Sequence, residues 1–318
     1  MSPADLRPSL VVIGNFDGVH QGHQAVLAAV SRLAKQRELV PRMLTFRPHP
    51  AVTLGRQAPA VLTTPERKIE LIEQACPGID VVVREFTRDF AEQGPEQFVE
   101  RVLVGELCTT VVMVGVNFRF GRGRLGSFAD LERLGEQHGF EAIAEPLVSD
   151  SGGPWSSTRV RELIKTGDIE GASAMLGRPH LLSGTVERGA QRGRTIGYPT
   201  CNLANVPEAL PPFGVYAVLV DRVTEDGAKA LAKGVMSFGV RPTVPDADPL
   251  PLVETHLFDV TADLYGQQIR VHLVARQREE LRFESFEALR AQIDADAAEA
   301  RERLASWEPD PLVGGAWA

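Results

Sequence analysis

The chain has 318 residues, a formal net charge of −8 at pH 7, 43% hydrophobic residues and 24% charged residues. A soluble domain usually takes roughly 100–200 residues, so this length predicts two domains with ordinary cores. The negative charge argues against a general affinity for nucleic acid or anionic membranes, because both attract basic surfaces. It does not exclude a local basic pocket for a nucleotide.

The sequence carries no visible targeting or membrane segment. No run approaches the roughly 20 consecutive apolar residues that span a bilayer, and MSPADLRPSL at the start does not resemble a signal peptide. Cys76, Cys108 and Cys201 are too far apart for a disulfide framework or a CxxC metal site. We therefore expect a cytoplasmic protein without nucleic-acid or membrane partners, of undetermined oligomeric state.

Residues 9–180 alternate between apolar runs typical of strands and segments with helical spacing. The predicted strands are SLVVIG, PRMLTF, DVVV and TTVVMVG, and the predicted helices are GHQAVLAAVSRLAKQR, TPERKIELIEQA and PEQFVERVLV. Segments around Ser127–His138, Glu141–Glu145 and Ser157–Leu176 complete the alternation. This pattern predicts βαβ units and a mostly parallel α/β sheet, whose ligands bind beyond the carboxyl ends of the strands.

After Pro179 the pattern changes to short strand-like runs separated by Gly, Pro and Asp: LLSGTVERG, GVYAVLV, KGVMSFG, VETHLFDV and QQIRVHLVA. This spacing favours a small β-barrel or sandwich. In the closing helix, FESFEALRAQIDADAAEARERL, the side chains of Phe286, Leu289 and Ile293 share one face, which we expect to pack on the barrel. The change near Gly177–His180 predicts domains 1–179 and 180–318.

The segment GNFDGVHQGHQ directly follows the first strand and opens the first helix. His20 and His23 are three residues apart, so both can point the same way at the positive, N–H-rich start of that helix. Such a site suits triphosphate oxygens and can stabilise the charge on departing pyrophosphate. An isolated HxxH is more often a surface turn, but its place after strand one favours a nucleotide. Three glycines are predicted to let the backbone approach the ligand: Gly14, Gly18 and Gly22.

A second segment, WSSTRVRELIKTGD, supports this interpretation. Ser157 or Thr158 is a candidate N-cap for the helix that follows, and Arg159 and Arg161 lie in its first turn. Positive side chains oppose the helix dipole there, and a bound anion would offset that conflict. A capped surface helix with stray arginines is the alternative.

A third segment, VGVNFRFGRGRLG, contains a formal GxGxxG at Gly121, Gly123 and Gly126. The dinucleotide fingerprint should open the first βαβ unit, whereas this one follows the fourth strand and is crowded by arginines. We interpret it as a flexible basic loop over a nucleotide. TFRPHP leaves the second strand and could form another pocket wall, with His49 either structural or functional.

The second half has no GxxxxGK[ST], which excludes a P-loop. In SGTVERGAQRGRTIGYPTCNL, Thr200 and Asn202 face the same way if the chain is extended, and their oxygens suit Mg²⁺ bound to phosphates. An ordinary Pro-containing turn is the alternative. VETHLFDV supplies Glu254, a candidate base for an attacking hydroxyl. The residues alone do not choose it over Asp259 or Asp263.

Together, these segments resemble the bacterial bifunctional riboflavin kinase/FAD synthetase (FMN adenylyltransferase) family, in order, over roughly residues 10–305. GNFDGVHQGHQ resembles the family's GxFDGxHxGHQ, and TFRPHP, VGVNFRFG and SSTRVR resemble its next three motifs. GRTIGYPTCN is similar to the kinase motif GRxLGxPTAN, and GVRPT, ETHLFD, DLYG and REELRF are similar to the later kinase motifs. The ordered set is highly specific.

The resemblance implies a Rossmann-like nucleotidyltransferase domain followed by a six-stranded antiparallel flavokinase β-barrel with a C-terminal helix. It implies that riboflavin and ATP give FMN and ADP in the second domain, and that FMN and a second ATP give FAD and pyrophosphate in the first. Three alternatives remain: one retained activity, a nucleotidyltransferase for another acceptor, or a non-catalytic flavin-binding protein.

The resemblance also implies residue roles. Glu254, His20, His23 and Arg161 are the expected catalytic residues, and Thr200 and Asn202 the expected Mg²⁺ ligands. Substrate and ATP contacts are expected from Gly14, Asn15, Phe16, Asp17, Asn117, Ser157, Thr158, Arg159, Gly189, Gly193, Arg194, Gly197 and Arg278. The chain departs from the family at Cys201, where Ala is usual, at Ser237-Phe238, where Asn-Ile is common, and in the loop VPDADPLP.

Overall fold

The computed structural model describes residues 7–145, 148–150, 152–189, 197–240, 251–311 and 315–317. The chain forms two compact units. The first comprises Met1–Pro59 and Thr63–Ser157, and the second comprises Ala60–Leu62 and Thr158–Ala318.

The first unit is built on a five-stranded parallel sheet, as the alternating pattern predicts. Its strands are β1 (Ser9–Ile13), β2 (Val40–Arg47), β3 (Asp80–Glu85), β4 (Thr109–Gly115) and β5 (Glu141–Glu145), in the order β3-β2-β1-β4-β5. Its helices are α1 (Gln21–Arg37), α2 (Pro50–Thr53), α3 (Pro65–Ala75), α4 (Arg88–Ala91), α5 (Pro95–Phe98) and α6 (Phe128–His138). A π-helical stretch, Val99–Glu106, continues α5.

Both faces of the central strand β1 are covered. Leu10 and Val12 pack with side chains of α1 and α3, whereas Val11 and Ile13 pack with the π-helical stretch and α6. Burial on both faces explains why β1 is a continuous apolar run rather than an alternating one. The chain moves outward from β1 to β3 on one side and from β4 to β5 on the other, so the topological switch point lies between β1 and β4.

The predicted segment Ser157–Leu176 forms two helices, α7 (Ser157–Thr166) and α8 (Ile169–Leu176). Before them, β6 (Ser149–Asp150) and β7 (Gly153–Pro154) form a small antiparallel pair. Asp168 is the N-cap of α8, because its Oδ1 accepts the N–H of Gly171 at 2.9 Å. Because α8 packs on strands of the second unit, the predicted boundary at residues 179/180 separates it from its packing partners. The domain limits stay a prediction.

The second unit is a closed six-stranded antiparallel barrel. Its strands are β8 (His180–Glu187), β9 (Thr200–Ala204), β10 (Gly214–Thr224), β11 (Gly227–Val240), β12 (Pro251–Leu257) and β13 (Gln268–Arg278). Their order around the barrel is β10-β11-β12-β9-β8-β13. The sequence pattern did not identify β9 as a strand, because TCNLA is short and lacks apolar alternation.

The last helix, α9 (Phe286–Arg303), packs on the outside of β10, β11 and β13. The helix packs on the barrel as predicted, but only part of the predicted face does so: Leu289 and Ile293 are half-buried, whereas Phe286 is 54% exposed. Ala297 and Ala300, which continue the stripe of Leu289 and Ile293, are buried against the barrel. Small side chains let the helix axis approach the strands closely. Neither α9 nor any other helix in the described ranges has both the length and the apolar character needed to cross a bilayer.

Candidate active sites

The loop after β1, Gly14–His20, has an unusual backbone. Phe16 and Val19 have positive φ angles of 49° and 39°, a region that side chains other than glycine rarely adopt. Thr63 holds this loop: its backbone N–H and its hydroxyl donate to Asp17 Oδ1 at 3.1 and 3.2 Å, and its Oγ1 accepts from Gly18 N at 3.1 Å. Strained residues persist only where surrounding contacts fix them, and such residues cluster at functional sites.

Two of the three predicted glycines, Gly14 in the loop and Gly22 in the first turn of α1, also contact neighbouring side chains closely. A Cβ at Gly14 would lie 2.6 Å from the ring of Phe16, so only glycine allows that ring to fold back over the chain. A Cβ at Gly22 would lie 3.1 Å from the imidazole of His20. Internal packing therefore accounts for Gly14 without a ligand, whereas a side chain at Gly22 would require the His20 ring to shift slightly.

His20 and His23 lie together at the start of α1, as predicted. His20 is the N-cap, and its Nδ1 accepts the backbone N–H of His23 at 3.3 Å. Their rings stack at 3.7 Å between centroids, and Phe16 stacks on His23 at 4.4 Å. Burial lowers the pKa of His23 well below its ordinary value, and the nearby His20 and Lys68 lower it further. His23 is therefore neutral at pH 7.

The residues expected from the SSTRVR segment divide between the two units. The prediction that Ser157 caps α7 is wrong, because Ser157 is the first helical residue and its hydroxyl donates to Asp17 O at 2.8 Å. Thr158 lies inside the helix and so is not the cap either. Arg159 and Arg161 belong to the second unit, where Arg161 Nε donates to Ala60 O at 2.6 Å.

The loop after β4 leaves the same edge of the sheet as the loop after β1, because the two strands are parallel neighbours. Asn117 is exposed in this loop. Phe120 and Gly126 then exchange two backbone hydrogen bonds, at 3.1 and 2.9 Å, and α6 begins only after Ser127. Within GRGRLG the chain forms a short 3₁₀ turn, Arg122–Arg124, and the α-helix begins only after the segment has ended, which agrees with rejecting the dinucleotide fingerprint.

Other predicted and unpredicted residues surround this edge. His49 has a structural role, since its Nδ1 accepts the N–H of Ala51 at 3.2 Å and caps α2. Sequence reasoning missed Thr63 and Lys68; Lys68 Nζ donates to Asn15 O at 3.1 Å. The segment TPERKIELIEQA, which contains Lys68, shows only a helical period. A lysine near the start of α3, opposed to the helix dipole, was the available signal.

In the barrel, β9 and β12 place the predicted kinase residues side by side. Asn202 lies opposite Glu254, and Thr200 lies opposite His256. The side-chain amide of Asn202 is oriented so that both of its polar atoms have partners. Its Nδ2 donates to Glu254 Oε1 at 3.0 Å, and its Oδ1 accepts from Gly189 N at 3.1 Å. A Cβ at Gly189 would lie 2.0 Å from the side-chain amide of Asn202, so the close approach requires glycine.

The structure distinguishes the three candidate carboxylates. Arg301 binds Asp259 with two hydrogen bonds of 2.7 and 3.0 Å, and Asp263 accepts from Tyr265 N at 3.1 Å in a turn. Glu254 is the one of the three that contacts Asn202. It is therefore the best placed of them to act beside Thr200 and Asn202.

A cavity of about 440 Å³ opens beside Thr200. Its walls include Val186, Cys201, Leu257, Val260 and Leu264. Mostly apolar walls with a polar edge suit a planar ring system that carries phosphates. The described residues contain no group of three or more His, Cys, Asp or Glu side chains that could hold a metal. A Mg²⁺ site here would instead use neutral oxygens and substrate phosphates, which is the usual arrangement for this ion.

The remaining expected contacts are less informative. Arg278 forms a two-pronged ion pair with Asp296 of α9, at 2.8 and 2.6 Å, and so holds that helix. Gly197 is exposed with a φ of 88°. Gly193, Arg194 and most of the loop VPDADPLP lie outside the described residues.

The two residues that depart from the family's Asn-Ile differ in their surroundings. Ser237 pairs with Glu254 across β11 and β12, whereas Phe238 faces the barrel core.

The thiol of Cys201 is predicted to be unreactive. Burial raises its pKa to about 11, so its thiolate fraction at pH 7.5 is roughly 100-fold smaller than that of an ordinary cysteine. We expect iodoacetamide to alkylate Cys201 in the folded protein about 100-fold more slowly than in urea, as measured by mass spectrometry of its peptide. Rapid alkylation of the folded protein would contradict this expectation, and Cys201→Ala provides the unreactive control.

The fold defines a class of protein, a two-domain chain with a parallel α/β unit and a closed antiparallel barrel, and each unit carries one candidate site. The FAD synthetase family model matches residues 2–159, and the riboflavin kinase family model matches residues 176–304. The chain belongs to the bifunctional riboflavin kinase/FMN adenylyltransferase family.

Several relatives match along nearly their whole length. The chain is 37% identical to the bifunctional riboflavin kinase/FMN adenylyltransferase of Escherichia coli (strain K12), covering 97% of each chain. It is 35% identical to the protein of the same name from Bacillus subtilis (strain 168), covering 92% of this chain and 91% of that one. A crystal structure titled a macrolide-efflux protein from Streptococcus pneumoniae has the same fold, with a TM-score of 0.83, 28% identity and 95% coverage of both chains.

Proposed function

We propose that the barrel transfers the γ-phosphate of ATP to riboflavin, and that the α/β unit transfers the AMP group of a second ATP to the resulting FMN. The observation that carries the proposal is the Asn202–Glu254 contact beside Thr200, which joins a base to two oxygen ligands on one face of the barrel. Family membership supplies the substrates.

In the kinase reaction, the 5′-hydroxyl of riboflavin attacks the γ-phosphorus, the bond to the bridging oxygen breaks and ADP leaves. A hydroxyl must lose its proton, and Glu254 accepts it. Asn202 orients Glu254 through the 3.0 Å hydrogen bond. Thr200 Oγ1 and Asn202 Oδ1 would hold Mg²⁺, which would neutralise charge on the phosphates. The apolar cavity beside Thr200 would take the adenine ring of ATP.

In the adenylyl transfer, a phosphate oxygen of FMN attacks the α-phosphorus of ATP, and pyrophosphate leaves. The attacking phosphate is already an anion at pH 7, so this reaction needs hydrogen-bond donors and positive charge rather than a base. The helix start at α1, with neutral His23 and a tautomer of His20 fixed by its Nδ1 bond, supplies donors of this kind. This difference explains why the two sites use different residue types.

The other assignments are part of the same proposal. The Gly14–Asp17 backbone, Asn117, Ser157, Thr158 and Arg159 would contact nucleotide or FMN, and Arg161 would stabilise transferred charge. Gly189, Gly193, Arg194 and Gly197 would contact the kinase phosphates, and Arg278 would act by holding α9 beside the barrel. We place the enzyme in the cytoplasm, with small-molecule substrates and neither nucleic-acid nor membrane partners.

One assay tests the proposal against its alternatives. The protein is incubated with riboflavin, ATP and Mg²⁺, and the flavins are resolved by chromatography; we expect FMN followed by FAD. Formation of FMN alone, or of FAD only when FMN is added, would show that the protein has one of the two activities. Formation of neither FMN nor FAD would indicate a flavin-binding protein.

A further inference from the structure

A lysine that none of the sequence motifs includes lies at the edge of the nucleotide loop. Lys68 extends from the first turns of α3, and its Nζ donates to Asn15 O at 3.1 Å and to Thr45 Oγ1 at 3.5 Å. Asn15 directly follows β1, and Thr45 lies in the neighbouring β2. The ammonium therefore lies near the carboxyl ends of two central strands, where ligands of parallel sheets bind.

The position costs free energy, because burial disfavours a charged ammonium. Burial lowers the pKa of Lys68, and the carboxylate of Asp17 partly offsets the effect. Holding the loop in place does not by itself require a charged side chain. The hydroxyls of Thr63 and Ser157 already hold the same loop through hydrogen bonds to Asp17 and Gly18. A half-buried cation at a site where neutral groups suffice indicates a use for the charge itself.

The neighbouring His23 does not provide that charge. The pKa of His23 is lowered, first by burial and then by His20 and Lys68, so its ring is neutral at pH 7. The ionisable groups identified around His23 and Lys68 are His20 of the loop and Asp17. Lys68 therefore places a positive charge near the neutral ring of His23, with the carboxylate of Asp17 close to it.

We propose that Lys68 is a positioning residue of the adenylyl-transfer site, which fixes the Asn15 backbone and places an ammonium beside His23 to attract the phosphates of ATP. The proposal rests on the adenylyl transfer proposed above. It assigns two effects to one side chain: the loop conformation, through the carbonyl of Asn15, and the local charge, through Nζ.

The test compares Lys68→Met, which keeps the stem but removes the charge and the donor, with Lys68→Arg, which keeps both. In the full-length protein, Lys68→Met should raise the KM for ATP in FAD formation about tenfold or more, and Lys68→Arg should restore most of the loss. The riboflavin kinase rate of the same preparations should not change. If Lys68→Met fails to fold and loses both activities, Lys68→Gln replaces it in the comparison.

A second measurement separates charge from structure. In ¹⁵N-histidine-labelled protein, with the signal assigned by its loss in His23→Ala, the pKa of His23 should rise in Lys68→Met but not in Lys68→Arg, while burial and His20 keep it below its ordinary value in both. An unchanged ATP KM in Lys68→Met would overturn the proposal, as would equal losses in both variants with an unshifted His23. Absence of FAD formation by the unaltered enzyme would instead refute the proposed function.

Discussion

Glu254→Gln should abolish the conversion of riboflavin to FMN and leave the conversion of FMN to FAD intact. The substituted amide can still accept the hydrogen bond from Asn202 Nδ2, so the geometry of the pair is kept while the base is removed. Loss of a general base typically costs about 10²- to 10⁴-fold in rate. We expect a fall of this size in kcat for FMN formation, measured by chromatography, with the KM for riboflavin changed much less.

The matched control is Glu225→Gln, at the exposed β10–β11 turn of the same barrel. It removes one negative charge from the same domain and should keep both activities. If Glu254→Gln retained kinase activity within tenfold of the unaltered enzyme, Glu254 would not be the base. If it lost FAD formation from added FMN as well, the assignment of separate sites would fail.

The sequence predicted the fold wherever apolar periodicity decides it. β1, β2, α3 and β4 follow from runs of apolar residues whose period matches one kind of element. The sequence pattern failed for β9, because this strand forms by pairing with β8 on one side and β12 on the other. The segment TCNLA does not itself contain that information. In α9 the pattern correctly placed Leu289 and Ile293 toward the barrel but wrongly included the exposed Phe286. It also missed Ala297 and Ala300, because alanine carries little hydrophobic signal.

For the sites, motif spacing located residues that are close in sequence. The pairing of His20 with His23 and the shared face of Thr200 and Asn202 both follow from local geometry. Long-range partners were not accessible in this way. Thr63 and Lys68 reach the β1 loop from about 45 and 53 residues away, and the choice of Glu254 over Asp259 needed the strand register. The residue types there are common, so only the folded chain shows which of them meet.

His23→Ala should produce the opposite pattern to Glu254→Gln: FAD formation from FMN should fall while FMN formation continues. The neutral imidazole of His23 stacks between partners that fix its direction, at 3.7 Å from His20 and 4.4 Å from Phe16. A donor held in this way does not reorganise as charge develops on pyrophosphate, and removal of such a donor typically costs about 10²- to 10³-fold in kcat. Radiolabelled pyrophosphate release from ATP, in the presence of FMN, measures the effect.

The matched control is His138→Ala, in the last turn of α6. Because α6 leads directly into β5, its end lies at the amino edge of the sheet, opposite the loops after β1 and β4. The same substitution in the same unit should therefore leave FAD formation within about twofold, consistent with the small effects of surface changes away from a site. Equal losses in the two variants would mean that the effect is one of folding, whereas a loss confined to His23→Ala would place the departing pyrophosphate at the start of α1.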